Sequence, residues 1–154
     1  MKKLLVFIII PFLLNACTFI DVYEKTEAFS KHEWSNNNKL TFTFTITDTT
    51  APYNIYAVIR HTDAYHWNNI WLSVTTIAPG EAASVQQVNL KLGDNTKGWL
   101  GTAMDDIIEH RVLLTRYPVK LKKGNYNFVV QQIMREDPLQ NVMNAGIRVE
   151  KAVQ

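Results

Sequence analysis

Leu40-Thr41-Phe42-Thr43-Phe44-Thr45-Ile46-Thr47 is the stretch whose reading decides the fold. Its hydrophobes recur at every second position. A period of two puts Leu40, Phe42, Phe44 and Ile46 on one face and the threonines on the other. That pattern is a half-buried strand of an antiparallel sheet, one face on the core and one in water.

Working outward, Asp48-Thr49-Thr50-Ala51-Pro52 breaks the strand, and alternation resumes. Tyr53, Ile55, Ala57 and Ile59 share one face of a second strand. After a loop from His61 to Asn69, Ile70, Leu72 and Val74 mark a third. Ala78-Pro79-Gly80-Glu81 is a turn, and Val88, Leu90 and Leu92 form a shorter strand. Gly93 to Gly98 is a turn cluster, and Thr102 to Ile108 reads as one or two helical turns. His110 to Thr115 is extended, and Lys122-Lys123-Gly124-Asn125 is another turn. Tyr126, Phe128 and Val130 belong to a long strand, Arg135 to Ala145 is a loop, and Gly146 to Val149 supplies a last strand. Short strands with turn signals between them and no long helical period predict an all-β protein. The expected architecture is a single antiparallel β-sandwich, jelly-roll-like, over residues 39–154.

Upstream the chain is of another kind. Lys2 and Lys3 precede a greasy run from Leu4 to Leu14, interrupted only by Pro11, and Ala16 then precedes Cys17. This is the layout of a secretory signal peptide. Its apolar run is shorter than the roughly 17–25 residues that span a bilayer. Leu14, Ala16 and Cys17 also match the bacterial lipobox. That resemblance implies cleavage after Ala16 and lipidation of Cys17, hence anchorage to a membrane. Residues 1–16 are thus read as the leader and 17–38 as a lipidated tether with a first, edge-type strand near Asp21 to Lys25. The absence of Asp at position 18 and of an acidic cluster after Cys17 resembles signals for the outer membrane and its periplasmic face.

Removing residues 1–16 removes two lysines and no acid, so 16 basic against 14 acidic residues become 14 against 14. No Lys or Arg cluster tracks a phosphate backbone, which disfavours nucleic acid as a partner. Cys17 is the only cysteine, so its lipidation leaves no thiol for a disulfide or a metal.

The densest set of reactive side chains is Arg60-His61-Thr62-Asp63-Ala64-Tyr65-His66-Trp67-Asn68-Asn69. His61, Asp63 and His66 lack the spacing of a helical metal motif, and His32 and His110 stand alone in the sequence. There is no nucleophile elbow or phosphate-binding loop, and the carboxylates are scattered. No catalytic residue, cofactor or metal is expected. Exposed aromatic, His and Arg side chains on a loop held by strands are instead contact residues. The candidates are Arg60, His61, Tyr65, His66, Trp67 and Asn68, with Arg135 from the later loop. Trp67, Trp71 and Trp99 are the stacking candidates if the ligand is a glycan, although Trp99, behind Gly98, reads as a core plug.

Several blocks taken in order resemble the gliding-motility lipoprotein family GldH of the Bacteroidota. They include Asp21-Val22-Tyr23, Phe42 to Thr49, Tyr53-Asn54-Ile55-Tyr56 with Arg60-His61, and Tyr65 to Asn69 with Trp71-Leu72. Gly98-Trp99-Leu100-Gly101, Gly124 to Phe128, Gln132 to Arg135 and Gly146 to Glu150 continue the series. One turn departs from it, with Gly93-Asp94 where the family pattern has Ala-Asp. The resemblance implies an outer-membrane lipoprotein required for gliding, linked to the type IX secretion machinery, with envelope proteins as partners and no enzyme activity. The alternative is a lipid-anchored glycan-binding module.

Overall fold

The computed structural model describes residues 21–152, so the leader, the lipobox and Cys17 lie outside the described residues. The strands are β1 (Asp21–Ala28), β2 (Glu33–Trp34), β3 (Leu40–Ile46), β4 (Pro52–Thr62), β5 (Asn69–Ile77), β6 (Ser84–Lys91) and β7 (Gly93–Asp94). They continue with β8 (Gly98–Trp99), β9 (Thr102–Met104), β10 (Ile107–Leu113), β11 (Val119–Lys120), β12 (Gly124–Gln132), β13 (Leu139–Gln140) and β14 (Val142–Lys151).

Two antiparallel sheets carry the fold. The larger runs β1-β14-β4-β10-β9, with β11 also on β4, and the smaller runs β3-β12-β5-β6. Numbering only the eight long strands β1, β3, β4, β5, β6, β10, β12 and β14 in chain order, the sheets read 1-8-3-6 and 2-7-4-5. That is the strand order of a jelly roll. The all-β, jelly-roll-like expectation therefore holds.

The core lies where the period of two sends it. Leu40, Phe42, Phe44 and Ile46 of β3 are buried while the intervening threonines are exposed. Phe44 stacks on Tyr126 and Phe128 of β12, each with ring centroids 5.5 Å away. Opposite them the larger sheet contributes Ile55, Ala57 and Ile59 of β4 and Ile147 and Val149 of β14 to the same cluster. Fully burying a Phe, Ile or Leu side chain contributes about 1.5–3 kcal/mol. The first strand is an edge, as expected, and it is built into the body: Tyr23 of β1 lies 5.2 Å from Phe44, centroid to centroid. Phe29 and Trp34, also ahead of residue 39, are buried and stack on each other at 5.0 Å.

Two local expectations are overturned. Residues 102–108 form no helical turns. β9 and β10 make a hairpin, Met104 paired with Ile107, across Asp105-Asp106. Asp105 takes φ 53°, the left-handed conformation that two-residue hairpin turns need and that Asp tolerates. Nor is the segment from Arg135 to Ala145 all loop. β13 pairs with β2, and β14 begins at Val142, with a register shift between Val142 and Asn144. A bulge interrupts the period of two, which hides the start of this strand from a pattern reading.

Candidate functional site

The segment from His61 to Asn69 divides into a buried half and an exposed half. β4 carries its inward stripe, Tyr53, Ile55, Ala57 and Ile59, one step further to His61, which is fully buried. Its Nδ1 lies 2.7 Å from the Thr62 carbonyl oxygen. A carbonyl only accepts, so Nδ1 carries the hydrogen and Nε2 is the acceptor of the neutral ring. His110 of β10 donates to it from its own Nε2 at 2.9 Å. The Trp99 ring meets His61 edge-on, centroids 4.4 Å apart, and Tyr65 lies 4.9 Å away on another side. The Tyr65 hydroxyl donates to the Asn69 carbonyl at 3.0 Å. Burial pulls both histidines below the usual range, His110 to about 4, and the neighbouring His61 adds to the shift at His110. Burial pushes the Tyr65 phenol up, with Glu136 adding to it.

His61 and Tyr65 are therefore not surface contacts: they form the floor of the loop, because the inward phase of β4 reaches it. His110, alone in the sequence, is the partner of His61. Trp99 is half-buried against this cluster, as a core plug should be.

The exposed half behaves differently. Trp67 is 40% exposed and Trp71, on the outer face of β5, is 41% exposed. Both line a groove of about 550 Å³ with Asn69, Gln87, Met134 and Arg135. Its far wall, the segment after β12, is fixed from beneath by buried Gln132. The Gln132 side-chain carbonyl accepts from the Met134 N–H at 2.7 Å, and its amide donates to the Trp34 carbonyl at 3.2 Å. The Ile133 N–H donates to the Trp71 carbonyl at 3.0 Å, and the Trp67 indole N–H donates to Glu136 at 2.6 Å. Both tryptophans are thus held at backbone or ring, and Arg135 has no ion-pair or hydrogen-bond partner among the described residues.

The structure thus unites Trp67, Trp71 and Arg135. It separates the other candidates. Arg60 points outward from β4 and pairs with Glu109. Asn68 is exposed, and its carbonyl accepts from the Leu92 and Gly93 N–H groups, each at 2.8 Å. Asp63 and His66 are exposed while His61 faces the core, so these three side chains look into different surroundings. Sequence reading missed Gln87, Met134 and the anchor Gln132. The last left a signal, because Gln132 continues the inward phase of Tyr126, Phe128 and Val130.

The outer faces of the two sheets differ in charge. On the larger, Arg111 reaches Glu109 at 3.0 Å and Glu24 at 3.3 Å, while Arg148 pairs with Glu24 and, at 2.8 Å, with Glu150. On the smaller, the outward positions are Thr41, Thr43 and Thr45, then Asn125, Asn127, Val129 and Gln131, then Asn69, Trp71, Ser73, Thr75 and Ile77, and finally Val85, Gln87, Asn89 and Lys91. Lys91 is the only formal charge among them. A face with few charges is cheap to desolvate, and the cores of interfaces are depleted in charged residues.

Comparison with known proteins places these features in context. A gliding motility lipoprotein GldH homolog of Christiangramia forsetii is 23% identical over 154 residues, covering 96% of this chain and 94% of its own. The gliding motility lipoprotein GldH of Flavobacterium johnsoniae is 24% identical over 151 residues, covering 90% of this chain and 94% of its own. Among solved structures, the VP2 subviral particle of infectious bursal disease virus matches 84% of this chain and 30% of its own, at 12% identity and a TM-score of 0.32. The model of the GldH lipoprotein family matches residues 21–149, nearly the whole of the sandwich, and the chain belongs to that family.

Proposed function

We propose that the protein is an outer-membrane lipoprotein, tethered through Cys17 on the periplasmic face. In this reading it is a non-catalytic interaction component of the gliding-motility envelope machinery linked to type IX secretion. The observation that carries the reading is the groove between Trp67, Trp71 and Arg135, on a sheet face with a single charge. Trp and Arg supply the largest share of binding energy at protein interfaces, and Met is enriched there. The groove holds no paired acid and base, which favours recognition over chemistry. Family membership and the names of the relatives support the motility setting.

The test is cross-linking and affinity purification of the full-length lipoprotein from native outer membranes, comparing wild type with Trp71→Ala and Arg135→Glu. Truncating a central Trp or Arg contact costs about 2 kcal/mol or more. A few envelope proteins recovered in near-fixed proportion with wild type, and lost from both variants, support the reading. Recovery of lipid and abundant porins alone, from all three, removes it.

One observation favours a second reading. Two exposed indoles line the same groove with Asn69 and Gln87, a combination that also suits a glycan, its apolar face on a ring and its hydroxyls on the amides. Binding of cell-envelope glycans that disappears in Trp67→Ala and Trp71→Ala would select it.

A further inference from the structure

An open sheet edge presents unpaired N–H and C=O groups, and proteins block such edges with charges, short strands, bulges or covering elements. Three of the four edges here are blocked. β1 carries Glu24, Lys25 and Glu27, with Lys25 and Glu27 ion-paired at 2.7 Å, and its register shifts between Asp21 and Tyr23. β9 is three residues long. β3 is flanked by β1, through the contact of Tyr23 with Phe44.

β6 has none of these devices. It is eight residues long, has no proline, and pairs with β5 without a shift from Ser84 to Lys91. Its only charge is Lys91, at its end and engaged with Asp94 at 2.6 Å. Among the described residues, no backbone group of β6 bonds to anything outside its ladder with β5. Val85 is 64% exposed. Beside this edge the two sheets also stand apart. A cavity of about 240 Å³ is lined by Ser84 and Gln86 together with Leu114, Thr115 and Leu121. The Thr115 hydroxyl is buried there without a hydrogen-bond partner.

We propose that β6 is a self-association edge, pairing antiparallel with β6 of a second copy to join two four-stranded sheets into one of eight. The strand that suits this edge is extended, uncharged along its middle, and alternates in the same phase, and β6 itself has these properties. A two-fold axis perpendicular to the sheet keeps inner and outer faces in register and makes the contact isologous. Centred on Gln87, the pairing sets Val85 opposite Asn89 on the outer face. On the inner face it sets Ser84 opposite Leu90 and Gln86 opposite Val88. Each copy's polar half, which borders the cavity, then faces the other's apolar half. Lys91 falls opposite Ala83, so no like charges meet. The proposal does not rest on what occupies the tryptophan groove.

The test uses the full-length lipoprotein, extracted in a mild detergent. Gln87→Cys introduces the only thiol besides Cys17, the predicted lipid-bearing residue. Under copper-phenanthroline it should give a disulfide-linked dimer of twice the mass. Adding Val85→Lys and Asn89→Lys, the latter replacing the acceptor of the Asn69 amide at 2.7 Å, puts ammonium groups opposite one another. It should lower the dimer yield at least tenfold and turn the sedimenting species from dimer to monomer. Trp71→Ala should leave the dimer unchanged, so loss of the groove's partner and loss of the dimer are separable. A Gln87→Cys thiol that reacts with maleimide yet yields no dimer overturns the proposal, as does a monomeric wild type. A cross-link only to a different polypeptide overturns it in favour of a partner's strand.

Discussion

His61 and His110 are 49 positions apart in the chain, yet their Nε2 atoms lie 2.9 Å from each other between β4 and β10. The contact needs an acceptor on one ring, so it exists only while His61 is neutral at that nitrogen. Both folded-state pKa values are depressed by burial, His110 to about 4, against about 6.5 in the unfolded chain. Between those values the unfolded chain binds more protons than the folded one, so stability rises with pH. It is fully present above about 6.5 and is lost as pH falls toward about 4. Each unit of separation is worth about 1.4 kcal/mol. Urea melts from pH 7.5 to 4.5 should show a falling midpoint, with a shallower slope in His110→Gln. An identical slope in that variant would assign the pH dependence to the carboxylates instead.

Gly146 and Gly93 should respond very differently to a methyl group. A Cβ at Gly146 would sit 2.1 Å from the Lys25 carbonyl oxygen, backbone that moves only if β1 moves. Gly146→Ala should destabilise at or above the upper end of the usual overpacking range of about 1–3 kcal/mol, and should raise hydrogen exchange along β1. At Gly93 the neighbours are Trp99 ring atoms at 3.2 Å, so what has to give, by a few tenths of an ångström, is a half-buried side chain and not backbone. Gly93→Ala should stay within about 1 kcal/mol of wild type. Equal losses at both positions would contradict this picture of β1.

Gln132 is buried and bonded to backbone on two segments. Gln132→Leu leaves the Met134 N–H and the Trp34 carbonyl without this partner, a cost of about 1–3 kcal/mol for a buried unsatisfied group. The wall of the groove should loosen with it. We expect a lower melting midpoint together with weaker capture of the partner proposed for the groove. Lost stability with undiminished capture would separate the anchor from the groove.

Cys17→Ala should release the protein from the membrane fraction and abolish labelling by palmitate. Fractionation with labelled palmitate reads both. A variant that still labels and remains with the membrane would refute the assignment of Cys17.

What the sequence by itself determined is whatever depends on neighbours along the chain. The resemblance to a lipobox rests on a contiguous motif ending at Cys17. The strands follow from side-chain alternation, clearest from Leu40 to Ile46, because adjacent residues of an extended chain point to opposite faces. The all-β sandwich class followed from the number, shortness and spacing of those strands, while the jelly-roll order is set by how they pair. Alternation does not say how far an inward stripe extends past the last hydrophobe, so His61 and Tyr65 read as exposed when they are buried. Nor does it survive a bulge or a left-handed residue, which is why Asp105 and the start of β14 escaped it.

Tertiary structure alone decided which distant residues share a site. Trp67, Trp71 and Arg135 line one groove only because β12 lies beside β5 and Gln132 holds the segment that follows. Arg60 finds Glu109 and Arg148 finds Glu24 on neighbouring strands while Arg135 finds no carboxylate, a difference set by cross-strand register and invisible in the residues themselves. The bare edge of β6 is likewise a property of the sheet, since an edge is defined only by the strand that is missing beside it.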